Sequence, residues 1–368
     1  MNKKELELYI HIPFCVRKCS YCDFLSAPAT EQTREAYMAA LFAEIGGRAK
    51  DYSDRTVTSI FIGGGTPSLL SGEQIGQLMD RIREQFAMAQ DAEITMEVNP
   101  GTASAEKLRN FYTAGINRLS IGMQSAQAEE LKNLGRIHDF EGFCQVYREA
   151  VEAGFTNINV DVMSGLPGQT LASYRDTLEK VLHLEPMPQH ISAYSLIVEE
   201  GTPFAAMAER GELPLPEEET ERAMYEETIE VLAKYGFHRY EISNYARDGY
   251  ECRHNVGYWI RRDYLGFGIG AASLIDNVRF QNEKSLGAYL AHPLESREEE
   301  QTLTVQDRME ETMFLGLRLT RGVSCVDFAE QYGRTVEEVY GEVIARNVAD
   351  GLLTVTERKE NQKKDRFL

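Results

Sequence analysis

Residues 6–22 read LELYIHIPFCVRKCSYC, an apolar, strand-like run that leads directly into three cysteines. Cys15, Cys19 and Cys22 follow a C-x3-C-x2-C spacing and make up half of the six cysteines in the chain. A strand that ends in a group of thiols predicts a site at its carboxyl end, which is where parallel α/β folds place their chemistry. The stretch therefore predicts that further parallel strands end beside the cysteines.

A short apolar run followed by a longer stretch of helical period occurs six times before residue 237. Six strand and helix units in succession predict parallel strands joined by right-handed crossovers. Because no run is followed by a convincing dinucleotide-binding fingerprint, a barrel or partial barrel is favoured over a doubly wound sheet. The predicted strands are residues 6–13, 57–64, 93–100, 118–125, 157–165 and 190–198.

Helix signals and composition divide the chain into three regions. Ser71 and Gln74 form a capping box before an amphipathic segment, and Gly236 ends a later helix. We expect an α/β barrel domain at residues 1–236, a connecting region rich in Tyr, Gly and Arg at 237–300 and a small, mostly helical domain at 301–368. An acidic run at 295–300 resembles a linker. The last domain is similar to a winged helix, but its helix at 335–344 is acidic where DNA recognition needs Lys and Arg.

Charge and hydropathy exclude several classes of protein. The chain has 58 acidic and 39 basic residues, a net charge of −19 and a mean hydropathy of −0.38. This charge repels phosphate backbones, so we expect no nucleic-acid partner. The apolar runs are too short for a transmembrane segment. The first residues lack the apolar core that a secretory signal needs. Peripheral contact with a membrane is still allowed by the sequence. We expect a cytoplasmic protein, in which clustered cysteines are more often metal ligands than disulfides.

Three thiols without a fourth ligand point to a metal cluster with an open position. A closed structural zinc site needs four ligands, and Phe24 stands where a fourth would be expected. Four thiolates usually hold a four-iron cluster, so three would leave one iron free to bind a small molecule. Two alternatives remain, packed thiols or a zinc site completed by a distant side chain. The candidates for that distant ligand are His11, Cys144, Cys252 and Cys325.

Polar residues follow the ends of the other predicted strands. In a parallel barrel these ends share one mouth, so the sequence predicts a single pocket around the cysteines. A glycine run lets the backbone approach a ligand closely, and carboxylates suit an ammonium group or ribose hydroxyls. Taken singly, each residue is equally explained as a turn, a helix cap or a surface acid. The set is Gly63, Gly64, Gly65, Thr66, Glu97, Gln124, Arg136 and Asp161.

The segment YIHIPFCVRKCSYC, residues 9–22, resembles the radical S-adenosylmethionine (SAM) superfamily. The resemblance implies a complete or three-quarter (β/α) barrel, here a partial (β/α)6 barrel. It also implies a [4Fe-4S] cluster on Cys15, Cys19 and Cys22, whose remaining iron chelates SAM. Tyr21 matches the aromatic position of the motif. The SAM-binding positions implied by the resemblance are Tyr9, Gly64, Gly65, Thr66, Glu97, Gln124, Arg136 and Asp161.

Within this superfamily, several segments are similar to the oxygen-independent coproporphyrinogen III oxidase group. They are HIPFC (11–15), GGGTPS (63–68), SIGMQS (120–125), GLPGQT (165–170) and GFGIGAAS (266–273). Two departures argue against oxidase activity. The oxidases carry a further cysteine two residues after the triad, where Phe24 stands here, and they have a longer arm before the cluster motif, which here begins at residue 15.

RHNVGYW, residues 253–259, resembles the HNxxYW signature of HemW-type haem chaperones, which are relatives of the oxidases without oxidase activity. His254 can supply an axial imidazole to haem iron, and Cys252 is an alternative thiolate ligand. Tyr258 and Trp259 offer flat apolar area to a macrocycle. The basic residues Arg253, Arg261 and Arg262 suit propionate groups. Without the resemblance, a turn histidine with solvated arginines explains the same residues.

The sequence therefore predicts a protein that binds a [4Fe-4S] cluster, SAM and haem and delivers haem to acceptor proteins. Whether SAM is cleaved stays open. The first alternative is a true radical enzyme, a coproporphyrinogen oxidase. The second is a non-catalytic scaffold with structural zinc at the triad.

Overall fold

The computed structural model describes residues 3–295, 297–360 and 363–367. A parallel sheet whose strands follow one another in chain order forms its centre, β1 beside β2 and so on to β6. All six strands predicted from sequence are present, with ends that differ by a few residues. They are β1 (Lys4–Ile12), β2 (Arg55–Gly64), β3 (Ala87–Val98), β4 (Arg118–Gln124), β5 (Ile158–Ser164) and β6 (His190–Ser195).

Helices connect these strands and cover the outer face of the sheet. The predicted capping box is formed, because Ser71 Oγ accepts from Gln74 N at 3.1 Å and Gln74 Oε1 accepts from Ser71 N at 2.9 Å. The helix that follows buries the predicted apolar face against the sheet. These helices are α1 (Glu31–Arg48), α2 (Gly72–Gln85), α3 (Ala105–Thr113), α4 (Ala128–Leu134), α5 (Phe140–Glu152), α6 (Leu171–Leu182), α7 (Pro203–Glu209) and α8 (Glu218–Lys234).

The middle region extends the sheet at both edges to twelve strands. β7 (His238–Arg239) and β8 (Asn244–Ala246) pair beyond β6, and β9 (Tyr264–Phe267) lies parallel to β1. Beyond β9 come three antiparallel strands, β10 (Ala272–Ile275), β11 (Val278–Asn282) and β12 (Arg297–Thr302). The interpretation of 295–300 as a linker is wrong for most of that run, because it lies in β12. Its exposed charges suit an edge strand, since they oppose pairing with another sheet.

Two short helices belong to the same region, α9 (Arg253–Trp259) and α10 (Leu286–Ala291). The chain then forms α11 (Val305–Gly316), α12 (Cys325–Tyr332) and α13 (Val336–Ala349), followed by the hairpin strands β13 (Thr356–Glu360) and β14 (Lys363–Phe367). A separate small core made of Met309, Phe328 and Val336 holds the three helices together. The C-terminal part is therefore mostly helical, as expected.

The inside of the partial barrel is polar, which is unusual because barrel interiors are normally filled by branched apolar residues. In β1, Leu6, Leu8, Ile10 and Ile12 face the helices, whereas the alternate residues face inward. Strand register sets Glu7 beside Ser59, and Ser59 beside Glu93. Further buried polar residues on the inner strands are Thr95, Arg118, Ser120, Asn159, His190 and Ser192.

Helix α9 lies against this polar interior, in contact with β2 on one side and α11 on the other. We call α9 together with Glu7, Ser59 and Glu93 the barrel floor. The opposite end, formed by the cysteine loop at 15–26 and the carboxyl ends of β2 to β5, is the barrel mouth.

Candidate functional site

A cavity of about 360 Å³ opens at the barrel mouth and reaches down to the floor. Eleven of the twelve residues that the sequence suggests for the cluster and SAM line it, so the structure brings them together. They are Cys15, Cys19, Tyr21, Cys22, Gly64, Gly65, Thr66, Glu97, Gln124, Arg136 and Asp161. Their individual roles stay predictions.

The cysteine loop is fastened to the barrel by backbone hydrogen bonds. Cys15 N donates to Ala27 O at 3.2 Å, and Ser20 N donates to Leu134 O at 3.0 Å. A further bond from Cys22 N to Cys19 O at 3.2 Å closes a tight turn between two of the thiols. All three thiols are free and half-buried, and all line the cavity. The loop thus presents three soft ligands to one enclosed space.

The donor set is three thiols on one loop, which suits an iron–sulfur cluster. Across residues 3–295, 297–360 and 363–367, no group of three or more His, Cys, Asp or Glu side chains is arranged to hold one metal ion. Three thiols that line one cavity suit the cluster predicted from the sequence, and a zinc site at the triad stays the alternative. Phe24 adds no ligand and is 60% exposed at the mouth.

The glycine run joins the end of β2 to the cysteine loop. Gly65 N donates to Ile12 O at 2.9 Å, and a Cβ at Gly65 would lie 2.6 Å from Phe14 O. Gly64 has a φ of +110°, and a Cβ there would lie 2.5 Å from the His11 ring. Larger residues at these two positions would push the cysteine loop away from the barrel, because only glycine allows this approach.

Two carboxyl groups face each other across the upper cavity. Glu97 accepts a hydrogen bond from Gly64 N at 3.0 Å, and Asp161 accepts from Asn159 Nδ2 at 2.7 Å and from Ser120 Oγ at 3.2 Å. Burial, followed by the nearby charge of Asp161, raises the pKa of Glu97 to about 8. Burial also raises the pKa of Asp161 above its ordinary value, although its hydrogen bonds oppose this. Both groups are positioned to accept from hydroxyl or ammonium donors.

Arg136 lies between the carboxylates and the cysteines. Its Nη2 donates to Gly122 O at 2.7 Å and its Nη1 lies 3.9 Å from Cys19 Sγ. Gln124, at the end of β4, has a φ of 69°, a left-handed conformation that non-glycine residues adopt rarely. This backbone turn directs the chain toward the cavity that Gln124 lines.

Tyr9 is not among the residues that line the cavity. Its hydroxyl is hydrogen-bonded to His11 Nδ1 at 3.0 Å, and its ring stacks on Phe61 with centroids 6.5 Å apart. Tyr9 thus lies behind the rim, where it supports residues that face the cavity. A direct contact of Tyr9 with SAM stays a prediction.

His254 lies inside the barrel floor and is 1% exposed. Its Nδ1 is hydrogen-bonded to Ser59 Oγ at 2.9 Å and its Nε2 to Tyr258 Oη at 3.0 Å. Burial, followed by the charges of Arg118 and Arg262, lowers the pKa of His254 to about 3, so the ring is neutral. Because both ring nitrogens are already bonded, His254 can reach haem iron only if α9 moves.

The other features proposed for haem are also engaged in the structure. The three arginines are paired with acids, Arg253 with Asp91 at 3.0 Å, Arg261 with Glu311 at 2.9 Å and Arg262 with Glu7 at 3.2 Å. Propionates would therefore have to replace these acids, and pairing of the three arginines with propionates stays a prediction. The Arg318 guanidinium covers the Trp259 ring at 4.2 Å, and burial raises the pKa of the Cys252 thiol to about 12.

Sequence reasoning missed the charged residues of the floor. Glu93 receives bonds from Arg253 N and His254 N at 3.2 Å each and lies 3.5 Å from Cys252 Sγ, so its carboxylate anchors the start of α9. Gly257 of α9 is pressed against the Glu7 carboxylate, where any Cβ would clash. The sequence did contain one signal for these residues, the alternation of side chains between the two faces of a strand. Glu7 and Glu93 occupy the inward positions of their strands.

Comparison with known proteins agrees with this arrangement. The Radical SAM superfamily profile matches residues 9–181, and the HemN C-terminal domain profile matches residues 303–359. Heme chaperone HemW of Bacillus subtilis (strain 168) is 40% identical over 352 residues, which cover 94% of this chain and 92% of that protein. Heme chaperone HemW of Escherichia coli (strain K12) is 37% identical, over 95% of this chain and 92% of that protein.

Among solved structures, coproporphyrinogen III oxidase (HemN) from Escherichia coli superposes with a TM-score of 0.85 and 28% sequence identity, covering 99% of this chain and 87% of that one. The barrel, the extended sheet and the helical C-terminal part thus form an architecture shared along the whole chain. With relatives that are 37–40% identical over more than nine-tenths of its length, this chain belongs to the HemW family of the radical SAM superfamily.

Proposed function

We propose that this protein is a haem chaperone that binds a [4Fe-4S] cluster, SAM and haem and delivers haem to acceptor proteins. The observation that carries the proposal is the convergence of three half-buried thiols with Glu97, Arg136 and Asp161 on one cavity. The names of the HemW relatives support the haem part of the proposal.

Cys15, Cys19 and Cys22 would hold the cluster, which when bound would supply an iron atom open to the amino and carboxylate groups of SAM. Arg136, next to Cys19, is placed to donate to a carboxylate at that position. Glu97 and Asp161 are placed to accept from ammonium or ribose donors. The glycine run fixes the distance between these acceptors and the cysteine loop.

His254 is the proposed haem ligand, with Cys252 as the alternative. Both lie in the barrel floor, and both are held there through Glu93, Ser59 and Tyr258. Haem binding at this position would begin with the release of α9, after which the Tyr258 and Trp259 rings can face the macrocycle. Release would also free Arg253 to pair with a propionate.

The absence of a nucleic-acid partner is part of this proposal, on the basis of the net charge of −19. A cytoplasmic location is part of it as well, because clustered cysteines that act as metal ligands suit a reducing compartment. Within the described ranges, no helix is both long enough and apolar enough to cross a bilayer. The acceptor would be an apoprotein with its own haem ligand and a higher affinity for haem.

The test is anaerobic reconstitution with iron and sulfide, followed by haem titration with and without SAM. The proposal predicts a cluster absorbance, stoichiometric iron and sulfide, and a haem spectrum that changes in the His254→Ala variant. Zinc in place of iron, or no haem bound at micromolar concentrations, would contradict it. An unchanged haem spectrum and affinity in H254A would assign the haem ligand elsewhere and leave the cluster assignment in place.

Coproporphyrinogen oxidation is the second candidate, favoured by the close superposition on the oxidase. In that case the reduced cluster and SAM would be used to decarboxylate propionate side chains of a porphyrinogen. Phe24, which occupies the position of the additional oxidase cysteine, argues against it. Product analysis decides between the two, since formation of protoporphyrinogen from coproporphyrinogen by the reconstituted protein would establish the oxidase.

A further inference from the structure

The barrel floor faces the same cavity as the cysteine loop. Asn255 of α9 lines the cavity together with Phe61 and Arg118, well below the carboxyl ends of the strands. Within the described part of the chain, the Asn255 side chain makes no hydrogen bond, so its amide offers both a donor and an acceptor to the cavity. The hydrogen bonds of Arg253 N, His254 and Tyr258 in α9 are all made to other groups of the protein.

Arg118 is a second polar residue in the lower part of the cavity whose hydrogen-bonding groups are not all matched by the protein. It is 2% exposed and lines the cavity, yet its hydrogen bonding within the described residues amounts to one contact, Nη1 to Thr95 Oγ1 at 3.5 Å. Its Nε has no acceptor. A guanidinium carries five N–H donors, and leaving them unmatched in a buried site is unfavourable. The lower cavity is therefore built to meet a polar group of a ligand.

Asn255 is held in the floor by the same contacts that hold the proposed haem ligand. His254 is its chain neighbour, and the amide of His254 bonds to Glu93 at 3.2 Å while its ring bonds to Ser59. Because α9 is only two turns long, Asn255 cannot keep a contact in the cavity once His254 has left the floor. A ligand that binds Asn255 therefore also holds His254 inside the barrel.

We propose that Asn255 hydrogen-bonds to the ligand in the cavity, and that SAM bound there keeps α9 closed and opposes haem ligation by His254. Both parts rest on the proposed SAM site, and the second rests on the proposed haem site as well. Since coupling between two sites is reciprocal, haem bound at His254 would weaken SAM binding by the same factor.

The first experiment uses the cluster-loaded protein without haem. Hydrogen exchange of the α9 amides, residues 253–259, is measured with and without SAM at ten times its Kd. We expect SAM to slow their exchange by about tenfold, close to the limit that ligand linkage sets at this concentration. The Asn255→Ala variant should bind SAM about tenfold more weakly, the effect of one lost hydrogen bond, and should lose the protection at matched occupancy.

Val256→Ala is the matched control, because Val256 packs against the Tyr240 and Trp259 cluster and does not line the cavity. V256A should loosen α9 while leaving the SAM Kd within about twofold. If N255A yields too little folded protein, Asn255→Ser can replace it. The serine side chain stays polar but is too short to make the proposed contact with the ligand. Unchanged α9 exchange on SAM binding, or equal SAM affinity in wild type and the Asn255 variant, would overturn the proposal.

Haem titrations with and without SAM distinguish a failure of this inference from a failure of the proposed function. In wild type, saturating SAM should raise the apparent haem Kd about fivefold or more, and N255A should abolish that dependence. If wild type binds no haem, the proposed function fails while the exchange result still decides the Asn255 contact. If haem binds equally well with and without SAM, the coupling is wrong and the chaperone proposal stands.

Discussion

The barrel mouth and the barrel floor both contain residues proposed as cofactor ligands, but they differ in how those residues are partnered. At the mouth, the three thiols are free, and Glu97 and Arg136 keep open positions toward a common cavity. At the floor, both nitrogens of His254 are bonded and Glu93 receives two backbone donors. A ligand can enter the mouth as it stands, whereas a ligand at the floor must first displace protein contacts.

Residue type alone therefore does not show whether a ligand can bind at a site without displacing protein contacts. The triad and His254 are both proposed as ligands from the sequence, but only the triad lines the cavity. The floor residues have the burial expected of a structural network, where each lost partner costs free energy. Four substitutions test this difference, from the largest expected effect to the smallest.

Cys19→Ala should abolish the cluster, because a cluster held by two thiolates loses its iron. The free energy of unfolding should change little, since Cys19 is half-buried on a loop. The cluster absorbance and the iron and sulfide content measure the loss. Cys144→Ala, outside the cavity, is the control and should keep a full cluster; equal loss in both variants would refute the assignment of the triad.

Glu93→Gln should lower the free energy of unfolding by roughly 2–4 kcal/mol, because a buried carboxylate that binds two α9 amides and faces Arg118 is neutralised. Urea denaturation measures the change. Asp91→Asn on the same strand breaks only an exposed ion pair with Arg253 and should cost less than about 1 kcal/mol. Similar losses in the two variants would mean that the floor is not a closed network.

Glu97→Gln should remove a pH dependence of SAM binding. With a pKa of about 8, the Glu97 carboxyl is mostly protonated at pH 7, and it becomes a charged acceptor for the cationic SAM as the pH rises. Wild-type affinity should therefore increase by up to about tenfold between pH 7 and pH 9. Equilibrium titration at several pH values compares the two proteins, and parallel pH profiles would show that Glu97 does not contact SAM.

Phe24→Ala should change the free energy of unfolding by about 0.5 kcal/mol or less, since the side chain is 60% exposed at the mouth. Cluster content should be unchanged. A destabilisation comparable to that of E93Q would show that the mouth is packed as tightly as the floor, and the contrast between the two regions would disappear.

The sequence predicted the six strands and their shared mouth because apolar runs and strand ends leave a regular signature. It also predicted the Ser71 capping box, which depends on neighbouring residues alone. It did not predict Arg118 or Glu93 as interior residues, because charged side chains are usually exposed and their partners come from distant segments. The ion pair between Arg261 and Glu311 could not be predicted from local sequence patterns either, because fifty residues separate the two. The edge strand β12 resembled a linker because an exposed, acidic strand lacks an apolar face.

The close fit of Gly257 against the Glu7 carboxylate has a consequence for how the floor can open. Glycine lowers the intrinsic stability of a helix, and seven residues are too few for a helix to persist in water on its own. Helix α9 therefore owes its shape to the barrel that encloses it. Once undocked, the segment would melt into an extended tether rather than swing out as a rigid lever, and docking would refold it.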